Sequence, residues 1–515
     1  MLRKVLIKNY RAFDDFTLDF SLGVNIVVGD NDAGKSTLLE AINLALTSRL
    51  GSNPISAELS PYLFSQSTTQ RYVERLRAGD KPSPPEILIE LYFADDDDHA
   101  SLRGTNNMLG EDCPGARLKI RLDDDLTDAY QAYVAEPEKV TLVPTEYYMW
   151  EWLAFSGNSI RNARNIPDAS LIDATSIRLQ KSADRYLQQI IGQHLASDER
   201  VELSRLYRSL RETFAGFGAI GDINTKLAGS HDDISSRRLS LSIDISHRAM
   251  WERSLVPHLN DLPFQFVGSG EQSSLKIMLA LNQKVEDSHI ILVEEPENHL
   301  SFSSLNILME KISKRCAGKQ VLVTTHSSYV LNKLGLGNLI LLTPPKGTRI
   351  SDLPPDTVEY FKKLPGYDTL RLVLAKKVIL VEGPSDELVV QRAYRDAHGK
   401  LPIEDGVDVI SVRGLQAKRF LDIAVPLRKP VAVVNDNDGD PTAIREKYAS
   451  YTQHSFIRIC VGEGAARTLE PQLVAANGLE VINKVLGTQY ETDSKLLTHM
   501  KNNKTECALK VFESG

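Results

Sequence analysis

Eight consecutive residues, Gly29-Asp30-Asn31-Asp32-Ala33-Gly34-Lys35-Ser36, join a glycine loop to a lysine and a hydroxyl. Such a loop turns backbone N–H groups toward a phosphate chain at a helix N-terminus. Lys35 would reach the β- and γ-phosphates, and the Ser36 hydroxyl would sit on Mg2+. The pattern counts only between a strand and a helix, and both neighbours fit. Apolar Val24-Asn25-Ile26-Val27-Val28 precedes it, and a helical run from Thr37 to Ile42 follows. Gly29, Asn31, Gly34, Lys35, Ser36 and Thr37 are therefore expected to bind a nucleotide, ATP with Mg2+.

Three further segments suit the same chemistry. The apolar strand Ile290-Ile291-Leu292-Val293 ends in Glu294-Glu295. A carboxylate there can hold Mg2+ through water, and the next can polarise an attacking water. Gly268-Ser269-Gly270-Glu271-Gln272 opens a helix read over Leu275 to Leu281; exposed amides, a hydroxyl and a helix dipole again suit a phosphate. Val321-Leu322-Val323-Thr324-Thr325 leads to His326, placed to contact a γ-phosphate.

A second set of acids lies downstream. Val378-Ile379-Leu380-Val381 reads as a buried strand ending in Glu382-Gly383-Pro384-Ser385-Asp386, with a helix after it. Val431-Ala432-Val433-Val434 ends in Asn435-Asp436-Asn437-Asp438-Gly439-Asp440. Parallel strands of an α/β sheet bring such ends to one edge, where ligands bind. Carboxylates crowded on one rim repel unless cations neutralise them, and hard oxygen donors suit Mg2+ or Mn2+. An EF-hand loop does not fit, because Pro441 follows Asp440.

These residues need several elements to position them. A chain of 515 residues is too long for one core. It reads as two to four domains of ordinary soluble composition. The net charge of −8 gives no overall attraction to nucleic acid, so binding DNA requires local basic groups or metal ions. Four dispersed cysteines without a C-x-x-C pair argue against a cysteine-ligated zinc and for reduced thiols in a cytoplasm. No apolar run has membrane-spanning length.

Residues 1–50 read as strands, phosphate loop and helix. The stretch Asn53 to Pro85 reads as a loop with a short helix inside, Glu86 to Phe93 as a strand, and Arg117 to Leu122 as an antiparallel one. The acidic run Asp95 to Asp98 reads as a solvated loop. From Asp173 to Lys226 the apolar spacing becomes helical: Tyr186, Leu187, Ile190, Ile191 and Leu195, then Leu203, Leu206, Tyr207 and Leu210. Such an insert either supplies a partner surface or completes the core. Leu239 to Ile243 is strand-like again. Prolines and glycines from Pro344 to Pro365 read as a linker, and a second α/β block starts at Lys377.

The phosphate loop, Ser269-Gly270-Glu271-Gln272, Glu294-Glu295 and His326, in this order, resemble an ABC-type ATPase head. They correspond to its Walker A, signature, Walker B with catalytic glutamate, and switch histidine; Glu297 to Ser301 would be its D-loop. Glu294 stands where the family carries aspartate, and Gln66 is a weak candidate for the Q-loop. Signature and phosphate loop of such heads meet across a dimer, which implies a homodimer or higher homo-oligomer. The downstream acids resemble a Toprim domain. An ABC head with a helical insert and a C-terminal Toprim domain is similar to the OLD (overcoming lysogenisation defect) family of ATP-dependent nucleases. That resemblance spans essentially the whole chain and takes in Thr468-Leu469-Glu470 and the late lysine, Lys504.

The resemblance implies an α/β chain of five segments. These are an ATPase head, N-terminal part (1–165); a helical, dimerising insert (166–236); the C-terminal part of the head (237–345); a linker (346–375); and a Toprim domain (376–515). It implies an ATPase and metal-dependent DNA endonuclease. Glu382, Asp386, Asp436, Asp438 and Glu470 would bind two metals, with Asp440 beside them, and Lys504 would stabilise the scissile phosphate. Glu295 would serve ATP hydrolysis. Bacterial antiphage defence, beside a helicase-like partner, is the implied setting. A DNA-organising, SMC-like ATPase without nuclease activity is the alternative; it calls for long coiled-coil arms, and the insert shows no sustained heptads.

Overall fold

Alternation along Phe13–Asp19 (β2) turns Phe16 and Leu18 inward and sets its antiparallel register on Leu2–Tyr10 (β1). Ile87–Phe93 (β4 below) is buried along its whole length, as a central strand should be. The computed structural model describes residues 1–51, 53–95, 97–161, 166–167, 169–173, 196–228, 258–268, 270–272, 275, 289–298, 300–315, 318–343, 346–350, 353–363, 368–412, 417–462 and 466–514. Contacts divide the chain into one unit of Met1–Leu171, His289–Leu292 and Cys316–Gly515 and a second of Ile172–Ser288 and Val293–Arg315.

In the first unit, one sheet is antiparallel. After Val24–Val28 (β3), the chain returns to it as Ile87–Phe93 (β4), Cys113–Leu122 (β5) and Tyr148–Ala154 (β6), giving the order β2-β1-β4-β5 with β6 on β5. The other sheet has β3 at its centre. It adds Ile290–Glu294 (β7), Gln320–Thr324 (β8), Leu339–Thr343 (β9) and Lys346–Arg349 (β10), and from β7 its order is β7-β8-β3-β9-β10. β8 and β9 run parallel to β3.

Helix Lys35–Thr47 (α1) packs on strands of both sheets and buries Leu38, Leu39, Ala41, Ile42, Leu44, Ala45 and Leu46. A helix so apolar can only be central. Gln320, fully buried, ties the sheets together: its amide donates to the carbonyls of Leu2 (2.6 Å) and Ser21 (2.8 Å) and accepts from Leu2 N (2.7 Å).

Two stretches are more ordered than their prolines suggest. The helix between Asn53 and Pro85 runs over Gln66–Arg77 (α2), capped by the Ser65 side chain on Thr68 N and burying Thr69, Tyr72, Val73 and Leu76. The 346–375 segment, read as a linker, is built from β10, Pro355–Lys363 (α6 below) and Thr369–Leu374 (α7 below), with Phe361, Leu372 and Val373 buried. Proline at the first helical position starts a helix rather than breaking it.

The second unit carries Ser197–Ala215 (α3) and Gly218–Ala228 (α4). Val201, Leu206, Leu210, Phe214 and Phe217 are exposed there. Tyr186 to Leu195 and Leu239 to Ile243 lie outside the described residues, as does the Leu275–Leu281 helix beyond its first residue.

After β8 come Ser328–Leu334 (α5), then β9 and β10, then α6 and α7. The C-terminal block is a four-stranded parallel sheet of Lys377–Val381 (β11), Val407–Ser411 (β12), Val431–Asn435 (β13) and Ile457–Val461 (β14), in the order β12-β11-β13-β14. Pro384–His398 (α8) follows β11 and Lys418–Ala424 (α9) precedes β13. Pro441–Lys447 (α10) follows β13. Leu469–Asn477 (α11), Leu479–Leu486 (α12), Asp493–Asn502 (α13) and Lys504–Glu513 (α14) close the chain around Val474, Ile482, Leu486, Leu496 and Met500. Among the described residues no helix is long and apolar enough to cross a membrane.

Candidate functional site

The phosphate loop joins β3 to α1 as its sequence requires. Gly34 has φ of 89°, which glycine alone adopts without strain, and a Cβ there would meet Phe13 Cζ at 2.8 Å. Gly29 lies as tightly against the Leu342 carbonyl. Lys35 is buried, and its ammonium donates to the carbonyls of Gly29 (3.1 Å) and Asp30 (3.0 Å). Asn31 and Ser36 are exposed at the loop surface, and Thr37 is half-buried in the first turn. A cradle of tight glycines around a buried lysine fits the triphosphate of ATP. His326 stands exposed two residues beyond β8, in the same unit.

In the second unit, Glu294 ends β7, and Glu295 takes the left-handed φ of 39° while its carboxylate accepts from Asn298 Nδ2 at 2.7 Å. Strain at a non-glycine residue marks a position fixed by its surroundings. Gln272 is buried, its amide donating to the carbonyls of Phe264 (2.8 Å) and Val267 (2.7 Å). It holds the turn from Phe264 to Val267. Ser269 and His299 lie outside the described residues.

The second set of acids is assembled by the parallel sheet. β11 pairs directly with β13, so Glu382 and the Asn435-to-Asp440 loop leave neighbouring strand ends. Asp386 sits on the first turn of α8, accepting from Gly383 N at 3.0 Å. Glu470 comes from α11; it is buried, with Oε2 accepting from Thr468 Oγ1 (3.0 Å) and Oε1 3.2 Å from Lys504 Nζ on α14. Asp436 is the meeting point. Burial, then the charges of Glu382, Asp386, Glu470 and Asp438, push its carboxyl up to about 7. Burial also raises Glu382, with Asp438 and Asp386 adding to it, and raises Asp386, with Glu470 adding to it.

Asp440 is not drawn into this cluster. Its carboxylate caps α10, accepting from Thr442 N (3.1 Å) and Ala443 N (3.0 Å). Its acid serves the helix that Pro441 begins.

Hard carboxylate oxygens crowded closely enough to raise the pKa of Glu382, Asp386 and Asp436 are a donor set for Mg2+ or Mn2+. Among the described residues no three histidine, cysteine or acidic side chains already form one coordination shell. Ions would therefore be held partly by carboxylates and partly by water, as Mg2+ commonly is.

Two amides beside the acids escaped the sequence reading. Asn435 Nδ2 donates to Glu382 Oε1 at 2.6 Å and fixes that carboxylate. Asn437, fully buried, donates to the carbonyls of Gly462 (3.0 Å) and Ala466 (3.2 Å). The alternation Asn-Asp-Asn-Asp was the available signal: amides that bind neighbouring groups, Asn435 the Glu382 carboxylate and Asn437 buried carbonyls, alternate with the acids. Tyr448, buried, lines a cavity of roughly 190 Å3 with Glu382, Asp438 and Lys447.

Comparison with known proteins finds matches over the regions that carry both sites. Residues 4–136 match an AAA domain, and residues 198–332 match the AAA domain described for AbiEii toxins of type IV toxin–antitoxin systems. Residues 373–438 match the Toprim domain of overcoming-lysogenization-defect-like proteins. An OLD nuclease of Thermus scotoductus is 23% identical over 93% of this chain and 92% of its own length. An ATP/GTP phosphatase of Helicobacter pylori is 20% identical over 65% of this chain and 87% of its own. The SMC head domain from Thermotoga maritima superposes with a TM-score of 0.31 at 13% identity, over 68% of this chain and 99% of that one. The chain is a homologue of OLD nuclease, with an AAA-type ATPase domain and an OLD-like Toprim domain in its C-terminal part.

Proposed function

We propose that this OLD nuclease homologue is a nucleotide-regulated, divalent-metal-dependent endonuclease that nicks or cleaves DNA. The observation that carries the reading is the gathering of Glu382, Asp386, Asp438 and Glu470 around Asp436, with Lys504 beside Glu470. These acids would hold Mg2+ or Mn2+, which would supply an activated water and stabilise the leaving oxygen. Asn435 keeps the Glu382 carboxylate oriented. Lys504, more than half exposed at its side chain, is free to swing from Glu470 toward the charge of a scissile phosphate.

In the first unit, Lys35 would meet the β/γ-phosphates and Ser36 would hold the nucleotide's Mg2+; in the second, Glu294 would be a Mg2+-binding carboxylate and Glu295 would polarise an attacking water. His326 would contact the γ-phosphate. Gly270, Ser269 and Gln272 form the signature that caps a nucleotide on another head. A homodimer or higher homo-oligomer follows, and the exposed Leu206 and Leu210 of α3 offer apolar surface to a second copy. Antiphage defence in a bacterial cytoplasm, beside a helicase-like partner, is the biological setting we assign on the family resemblance.

The test uses supercoiled plasmid with Mg2+ or Mn2+, with and without ATP. Asp436→Ala and Glu382→Ala should each abolish nicking and leave ATP hydrolysis nearly intact; EDTA should likewise stop cutting. Lys504→Ala should slow cleavage by about 3 kcal/mol of transition-state stabilisation while Mn2+ binding persists. Continued cutting by Asp436→Ala, freed of host nucleases, would instead favour a DNA-organising ATPase.

A further inference from the structure

Arg467 stands between β14 and α11, and its guanidinium lies across Gly439 in the turn after Asp438. A Cβ built on Gly439 would come 2.9 Å from Arg467 Nε and 3.1 Å from Cζ, and the glycine's φ of 92° brings the backbone up beneath it. The placement is enforced from below. Asn437 donates to Gly462 and Ala466 on one side and accepts from Gly439 N (2.9 Å) on the other, stitching the acidic turn to the segment that carries Arg467. Arg467 itself is exposed. Among the described residues it makes no ion pair, although acids surround the rim it borders, whereas Lys504 is engaged with Glu470.

We propose that Arg467 is a DNA-phosphate ligand of the nuclease site, gripping a backbone phosphate beside the one that is cut. The proposal rests on the endonuclease reading above. A DNA strand approaching five carboxylates and a chain of net charge −8 meets repulsion that bound cations offset only at the scissile position. A guanidinium fork offers paired N–H donors matched to two phosphate oxygens. Seated against a glycine and exposed, the guanidinium is within reach of a phosphate that approaches the acidic rim. Phosphate contacts of this kind fix the register of the strand and carry no sequence preference.

The experiment compares plasmid-nicking kinetics of the full-length wild type, Arg467→Ala and Arg467→Lys in Mn2+ over a range of salt. Arg467→Ala should raise KM about tenfold with kcat within about twofold, and flatten the salt dependence of kcat/KM by about one unit of slope. Arg467→Lys should fall between. Mn2+ affinity by calorimetry and the ATPase rate should match wild type. Wild-type KM and salt slope in Arg467→Ala would overturn the assignment. So would a raised KM accompanied by lost Mn2+ binding, which would make Arg467 a brace for the acidic loop. If wild type itself does not cut, the endonuclease reading fails first and this proposal with it.

Discussion

Lys35 is held by carbonyls of its own loop, Gly29 and Asp30, so its charge is placed before any nucleotide arrives. Lys35→Ala should therefore abolish tight ATP binding, whereas Glu295→Gln should bind ATP and hydrolyse it slowly. Equal affinity of wild type and Lys35→Ala for a fluorescent ATP analogue would remove the loop from the nucleotide site. Asp436 yields a prediction in pH. Its folded-state carboxyl, raised from 3.8 to about 7, binds its proton more tightly than in the unfolded chain. That contribution to stability is complete below the unfolded value and lost as pH climbs toward 7. Bound Mn2+ neutralises the same charge but must displace the proton at low pH. The rise in melting temperature on adding Mn2+ should thus be larger at about pH 8 than at about pH 5.5. An equal rise at both would show that the Asp436 proton does not compete with the metal.

At the scale of elements, the short helix α7 connects the phosphate-binding sheet to the acidic one. Its Thr369 Oγ1 donates to Asn332 Oδ1 of α5 at 2.6 Å, both residues fully buried, and Leu370 N donates to Ser328 Oγ at 3.3 Å. On its other side Arg371 Nε donates to Asp408 of β12 at 3.0 Å. Thr369→Val keeps the volume and deletes the buried donor, so urea unfolding should show a loss of about 1–3 kcal/mol. A change within about 0.5 kcal/mol, the range of an ordinary surface substitution, would show that this bond does not hold the two helices. The sequence hid α7 because six residues cannot display a helical period, and prolines nearby suggested a loop. By contrast, β3, β7, β8, β11 and β13 were legible as mostly apolar runs, the pattern of strands in a largely covered sheet.

At the scale of the molecule, one head per chain supplies one phosphate loop and one signature. With the signature capping another head's nucleotide, as proposed, the complete ATP site would be a property of two chains. Light scattering at micromolar concentration should report a dimer or larger species with ATP present. A strict monomer that still hydrolyses ATP would contradict the shared site. The exposed Leu206, Leu210 and Phe217 are the surface where polar substitution should weaken that assembly first.

The sequence by itself determined which chemistries this chain contains. Glycine spacing around Lys35 and acids at the ends of apolar strands are local patterns, and local geometry follows from them. Only the tertiary structure decided which acids share a field. Asp440, identical in type to Asp436 and Asp438, was claimed by the helix that Pro441 starts, while Glu470 and Lys504 reached the cluster from helices far along the chain. It also set the partners of Asn435 and Asn437 and seated Arg467 against Gly439. An amide or a guanidinium has no pattern of its own; its function is set by the groups that long-range packing brings within hydrogen-bonding reach.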